Sequence, residues 1–160
     1  MAIPSFDGNG NLPPGRHKGS IDDVHKALVA GFPTSTTRGA IFRYWQDHRL
    51  ALLDIVEVHC QWLAGSFASD KRDPADADVV TVLDGPAYDE LARHRQLVVK
   101  SLIAGHYTED FWKCDAYPVL AYPEDHPGHT QYRIATERWE DYFGHDRDGN
   151  DCGFVEVAGE

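Results

Sequence analysis

The sequence predicts an α/β fold of the α+β kind, a small mixed sheet of at least three strands with helices packed on one face. Three observations carry that expectation. Residues 56–62 and 76–83 each alternate with a period of two, as strands do because successive side chains point to opposite faces. Apolar residues before, between and after these runs recur near the 3.6 period of an α-helix. A third run, 112–121, is strand-like but contains Pro118, which cannot donate to a ladder and pushes the strand toward a sheet edge.

In chain order, residues 3–17 are dense in Gly, Pro and Asn, which favour turns over regular structure. They read either as an ordered Gly/Pro-rich arm (1–19) pinned by Ile3, Phe6 and Leu12, or as a floppy tail. Ser20 followed by Asp23 forms a cap-like start for a short helix bearing Val24 and Leu28 and ending near Gly31. A longer helix follows Thr34 and Ser35, with Ile41, Trp45, Leu52 and Val56 on its stripe. In the first strand Val58, Cys60 and Trp62 face inward and His59 and Gln61 outward. Pro86 at a helix start, with Tyr88, Leu91, Val98 and Leu102 on one face, predicts a single helix running to Gly105. A last helix spans 130–143 and stops at Gly144. Asp148, Gly149 and Asn150 make a turn, and residues 153–157 close as a short strand.

At 160 residues and 42% hydrophobic, one domain spanning 1–160 is expected. Lys and Arg number 15 against 26 Asp and Glu, a formal net charge of −11, which repels a polyanion at long range and argues against duplex DNA as a partner. Cys60, Cys114 and Cys152 are odd in number and widely spaced, so reduced thiols are expected rather than a disulfide framework. Neither a leader-like start nor a bilayer-length apolar run is present, and the expectation is a cytoplasmic protein without membrane insertion.

The chemistry concentrates where the first strand ends in Gly65 and Ser66 and the second opens with Asp76 and Asp78. Residues two apart in a strand share a face, so these carboxylates aim into the same space. Like charges so close are costly unless a cation neutralises them, and hard oxygen donors suit Mg²⁺ or Mn²⁺. Gly65 permits close approach to its backbone N–H groups, and Ser66 adds a hydroxyl, both suited to phosphate oxygens.

A Gly-Ser turn followed, after a short insert, by Asp-x-Asp on the next strand resembles the signature of the polymerase-beta-like nucleotidyltransferase superfamily. The resemblance implies a minimal nucleotidyltransferase fold and transfer of a nucleoside monophosphate from an NTP, such as ATP, or a dNTP to a hydroxyl, assisted by two ions. It also calls for a third carboxylate on a later strand. Asp115 is the best match, with Glu109 and Asp110 as competitors that look more like loop acids. On this reading Asp76, Asp78 and Asp115 are catalytic and hold the metals, and Gly65 and Ser66 hold the phosphates. Lys71 and Arg72 in the insert are placed to reach the triphosphate, or are equally a solvated charged loop. The N-terminal arm together with the tail Asp-Arg-Asp-Gly-Asn-x-x-Gly-Phe-Val is similar to a family of small uncharacterised bacterial nucleotidyltransferase-like proteins, members of which occur among antiviral defence and toxin-antitoxin genes.

Other motifs carry blander readings. Arg43 and His48 have an R-x4-H spacing used by some helical ribonucleases, read here as helix surface. His126 and His129 flank a Pro-Gly turn, and residues 146–151 lack the glycine position and glutamate of a calcium loop. Trp112, Tyr107 and Tyr117 offer a stacking surface for a base, although core packing fits Trp112 better. The expected acceptor is a protein, an RNA end or a growing short oligonucleotide. A homo-oligomer or a neighbouring gene's effector protein is expected to complete the site, because the chain is short for this fold. The alternatives are a catalytically inactive nucleotide-binding sensor and an antitoxin-like partner protein.

Overall fold

A five-stranded open mixed sheet organises the chain in the order β1-β5-β2-β3-β4. The computed structural model describes residues 2–159, so Met1 and Glu160 of the expected 1–160 domain lie outside the described residues. The strands are β1 (Gly15–Lys18), β2 (Val58–Ala64), β3 (Ala77–Asp84), β4 (Cys114–Ala121) and β5 (Gly153–Ala158). Pairs β1/β5 and β3/β4 are parallel, and pairs β2/β3 and β2/β5 antiparallel. The helices are α1 (Ile21–His25), continued by a π-turn at Lys26–Ala30, then α2 (Arg38–Leu53), α3 (Gly85–Glu90), α4 (Arg93–Leu102), α5 (Glu109–Trp112) and α6 (His129–Phe143). No helix among the described residues is long and apolar enough to cross a membrane.

The α+β class is as expected. Pro118 sits on edge strand β4, and the Ser20–Asp23 capping box forms in full. Most helices cover one face: α1, the π-turn and α2 pack Val24, Leu28, Ile41 and Trp45 against Leu63, Val79 and Val155. Toward the other end of that face, Leu52, Val99 and Leu102 meet Val58 and Leu83. The expectation of helices on one face alone needs correction at α6. Its Phe143, Trp139 and Tyr132 pack with Trp62, Val80, Val82 and Val119 on the opposite face, which is the face bearing the acids.

Covering both faces changes the fate of β2. Gln61, expected to point to solvent, is buried, because β2 lies inside a sheet covered on both faces, and a bulge between Val58 and Cys60 moves Val58 off the face of Cys60 and Trp62. Its amide is satisfied there: Trp45 Nε1 donates to Gln61 Oε1 at 2.9 Å, and Gln61 Nε2 donates to Thr81 Oγ1 at 2.9 Å. Both faces of an interior strand can be buried only if its polar side chains find such partners.

The arm is ordered rather than a floppy tail: Leu12 is fully buried and residues 15–18 add a parallel edge strand to β5. Two further expectations are corrected. The predicted helix from Pro86 to Gly105 is broken, with Leu91 and Ala92 at ψ 143° and 147°. The break lets α3 follow the ends of β3 and β4 while α4 packs on α2, and it buries Val99 while leaving Val98 exposed. His48 is buried rather than on the helix surface, with Nε2 2.6 Å from the Leu102 carbonyl. That partner can only accept, so Nε2 carries the proton, and burial holds the ring's pKa below its ordinary value. A histidine in that state has no path to a scissile phosphate.

Sequence reading overlooked Arg38, whose buried guanidinium serves five carbonyls. Nη1 donates to Leu28 and Phe67 at 2.9 and 2.7 Å, Nη2 to Ser69 and Lys71 at 2.6 Å each and to Ser66 at 3.3 Å, and Nε to Lys71 at 3.1 Å. The group stacks over Phe32, 3.8 Å from the ring centroid. Burial pushes its pKa down to about 10, opposed by Asp70 and Asp73, so it stays charged at neutral pH.

Removing one partner from a buried charged network leaves acceptors without donors, which typically costs about 3–5 kcal/mol. Arg38→Met is therefore expected to lower the urea unfolding free energy by at least about 3 kcal/mol. A loss under about 1 kcal/mol, within the range of an exposed pair, would mean the network is incidental.

Candidate metal centre

Three elements converge on one end of the sheet. β2 ends at Ala64 and turns through Gly65, whose φ of 74° lies in the left-handed region that glycine adopts without strain. A single 3₁₀ turn, Gly65–Ala68, follows. In the ladder Ala64 pairs with Asp78, and Asp78 pairs with Asp115 on β4. A Cβ added at Gly65 would overlap the Asp78 carboxylate. The glycine thus serves two needs: a positive φ and room for that acid.

Asp76 stands just before β3, half-buried like Asp78 and Asp115. The carboxylate oxygens of Asp76, Asp115 and Glu109 lie within 4.8 Å of one another, close enough to share an ion. Asp78 stands outside this triplet, although its carboxyl feels the charges of both Asp76 and Asp115. Glu109, which looked like a loop acid, is delivered by the one-turn helix α5. That helix is locked to β4 by Thr108, whose Oγ1 lies 2.6 Å from the carbonyls of Gly105 and Cys114, donating to one at a time, and accepts the Ala116 N–H at 3.0 Å. Lys113, at φ 55°, then turns the chain into the strand.

The electrostatics follow from this crowding. Burial, then Asp76, then Asp115 push the Asp78 carboxyl up to about 7, with Arg147 pulling the other way. The Glu109 carboxyl is raised by its hydrogen bond to Asp76 and by the charge there. Asp115 is raised by burial and by Asp76, and lowered by His106 and by its bond with Glu109. One oxygen of Asp115, Oδ1, is buried without a hydrogen-bond partner. An orphaned acceptor among raised carboxylates is the environment a hard divalent cation relieves, and the all-oxygen donor set fits Mg²⁺ or Mn²⁺.

The remaining residues named from sequence fall nearby or apart. Ser66 is half-buried, and its carbonyl takes bonds from Arg38, from the Ser69 N–H and from Ser69 Oγ. Lys71 and Arg72 are exposed in the insert. Arg72 Nε donates to Asp73 Oδ2 at 2.9 Å, which favours the charged-loop reading for that side chain. Arg147, on the turn organised by Asp146, is the cation whose charge reaches Asp78. Sequence reading passed over it because residues 146–151 read only as a turn. A second oxygen-and-imidazole group, Glu57, His59 and Asp84, lies at the far end of β3. Two of its three side chains already have partners: Asp84 accepts the Ala87 N–H at the start of α3 and bonds His59 at 3.0 Å. Asp110 is exposed and stands outside both groups.

A folded-state carboxyl pKa raised above the unfolded value destabilises the fold once ionised. The penalty is absent at low pH and enters as pH rises from about 4 to about 7, the interval between the ordinary and raised values of Asp78. With EDTA present, the melting temperature of Asp78→Asn relative to wild type is expected to rise progressively across that interval. Parallel melting curves at every pH would show that Asp78 ionises normally.

No curated protein and no solved structure matches the chain. A family model covers residues 4–158, nearly the whole length, and by that match the chain belongs to DUF6932, a family of unknown function.

Proposed function

We propose that this protein is a metal-dependent nucleotidyltransferase, moving NMP or dNMP from a nucleoside triphosphate to a hydroxyl acceptor. The observation that carries the reading is the meeting of Asp76, Asp78, Asp115 and Glu109 beside a glycine turn that closes on Asp78. Asp76, Asp115 and Glu109 would hold Mg²⁺ or Mn²⁺, with Asp78 beside them. The ions supply charge neutralisation at the triphosphate and a lowered pKa at the attacking hydroxyl.

The chain's own groups divide the remaining work. The backbone N–H groups of the Gly65–Ser66 turn and the Ser66 hydroxyl bind β- and γ-phosphate oxygens. Arg147 adds positive charge that reaches Asp78. The acceptor oxygen bonds to the α-phosphorus as the bond from that phosphorus to the bridging oxygen breaks, and pyrophosphate leaves with the electron pair. Asp115, which also lines the pocket beside the acids, accepts the acceptor's proton.

The net charge of −11 favours a protein or a short oligonucleotide as acceptor over a long RNA. The reading places the activity in the cytoplasm, in antiviral defence or a toxin-antitoxin pair. One observation favours the alternative of a partner-bound protein: Tyr107, just before the acid-bearing α5, and Phe111, within it, are 79% and 71% exposed, and such apolar surface marks interaction sites.

Incubating the protein with Mg²⁺ or Mn²⁺ and each α-³²P-labelled NTP and dNTP, then resolving products by gel and thin-layer chromatography, tests the proposal. Label is expected on an acceptor or in a ladder, and Asp76→Ala is expected to abolish it while shifting the melting temperature by no more than a few degrees. Incorporation undiminished in Asp76→Ala would refute the assigned chemistry.

A further inference from the structure

A pocket of about 430 Å³ opens directly beside the acids. Asp78 and Asp115 form its polar end, and Tyr117 of β4 with Arg138, Trp139, Tyr142 and Phe143 of α6 forms the rest. Its size falls within the roughly 300–1,000 Å³ typical of small-molecule sites. The walls are aromatic: Tyr117 and Trp139 have ring centroids 4.8 Å apart, and Trp139 meets Tyr142 edge-to-face at 5.7 Å. Phe143 is buried and anchors Trp139 from below, with centroids 5.3 Å apart. Tyr117 is held in place by Gly105, where any Cβ would strike its ring. Tyr142 is 68% exposed at the mouth.

We infer that this pocket binds a purine base, holding the nucleotide by its base while the phosphates face the acids. The inference rests on the nucleotide part of the function proposed above and goes on to name the base class. A purely apolar ligand would leave Asp78 and Asp115 desolvated without compensation. A bare anion would gain nothing from the aromatic walls. A planar base joined to a metal-binding phosphate chain satisfies both ends at once. Stacking grows with ring area, and every base offers a π-face, so a pocket that reads mainly by stacking prefers the two-ring bases. Besides the acids, the charged lining residue is Arg138. Its donors match N7, an acceptor that adenine and guanine share and pyrimidines lack. The pocket therefore separates purines from pyrimidines and discriminates weakly between the two purines.

Isothermal titration of the full chain in Mn²⁺ with ATP, GTP, CTP and UTP, and with inorganic tripolyphosphate, tests this. ATP and GTP are expected to bind at least about tenfold tighter than CTP and UTP, about 1.4 kcal/mol. Trp139→Ala and the exposed Tyr142→Ala are each expected to weaken ATP several-fold while leaving tripolyphosphate within about twofold, since stacking acts on the base alone. Tyr142 contributes little to the core, so its variant keeps the test valid if Trp139→Ala does not fold. Equal affinity for pyrimidines, or ATP binding untouched by Tyr142→Ala, overturns the inference. If Asp76→Ala still abolishes label transfer in that case, the transferase reading survives without it. Purine-selective binding that needs Tyr142, in a protein that transfers no label, supports the pocket and sinks the transferase. If neither tripolyphosphate nor any nucleotide binds, both fall.

Discussion

The site depends on a buried cation that holds the turn beside it. Arg38, at the start of α2, gathers the carbonyls of Leu28, Ser66, Phe67, Ser69 and Lys71, so one side chain fixes both the π-turn and the insert joining β2 to β3. Buried carbonyls that cannot join a ladder need donors, and a guanidinium offers five N–H groups in a rigid fork. The N-terminal arm clamps the same loop from outside, with the Asp70 N–H donating to Gly10 at 2.8 Å. A rigid insert is what allows Gly65 to be pressed against Asp78 rather than flexing away from it.

The second constraint is unfavourable and informative for that reason. Four carboxylates converge where Asp78 is pushed up to about 7 and an Asp115 oxygen stays unpartnered. Folding alone does not reward such an arrangement, and the core on the far side of the sheet closes without it. Strain retained at one end of a well-packed sheet is a common mark of a working site. The pocket of Tyr117, Trp139 and Tyr142 adjoins the same acids, so charge and stacking surface are presented together. That juxtaposition is hard to account for by packing, since Tyr142 covers little of the core.

Local signals were legible in the sequence. The period-two runs gave β2 and β3, the Ser20–Asp23 box gave the start of α1, Pro118 gave the edge strand, and Gly144 gave the end of α6. Asp76, Asp78 and Asp115 were visible as acids on strand-like runs, and β3/β4 pairing places Asp78 opposite Asp115. What escaped depends on distant partners. Gly15–Lys18 has no alternation and becomes a strand only because β5 lies beside it. Gln61, His48 and Arg38 are polar residues whose burial is paid for by groups 10 to 54 positions away. Glu109 looked like a loop acid because the one-turn helix that carries it is fixed by Thr108 to β4, a contact with no signature in the local pattern.

The central claim is that the acid cluster exists to hold divalent cations against a nucleotide's phosphates. Titrating Mn²⁺ into the protein by electron paramagnetic resonance, with a non-hydrolysable nucleoside triphosphate present, tests it most directly. The account predicts about two bound ions per chain, as two-metal transfer requires, falling to one or none in Asp115→Ala. Wild-type protein that binds less than one ion per chain under those conditions, or binding that Asp115→Ala leaves unchanged, would contradict it.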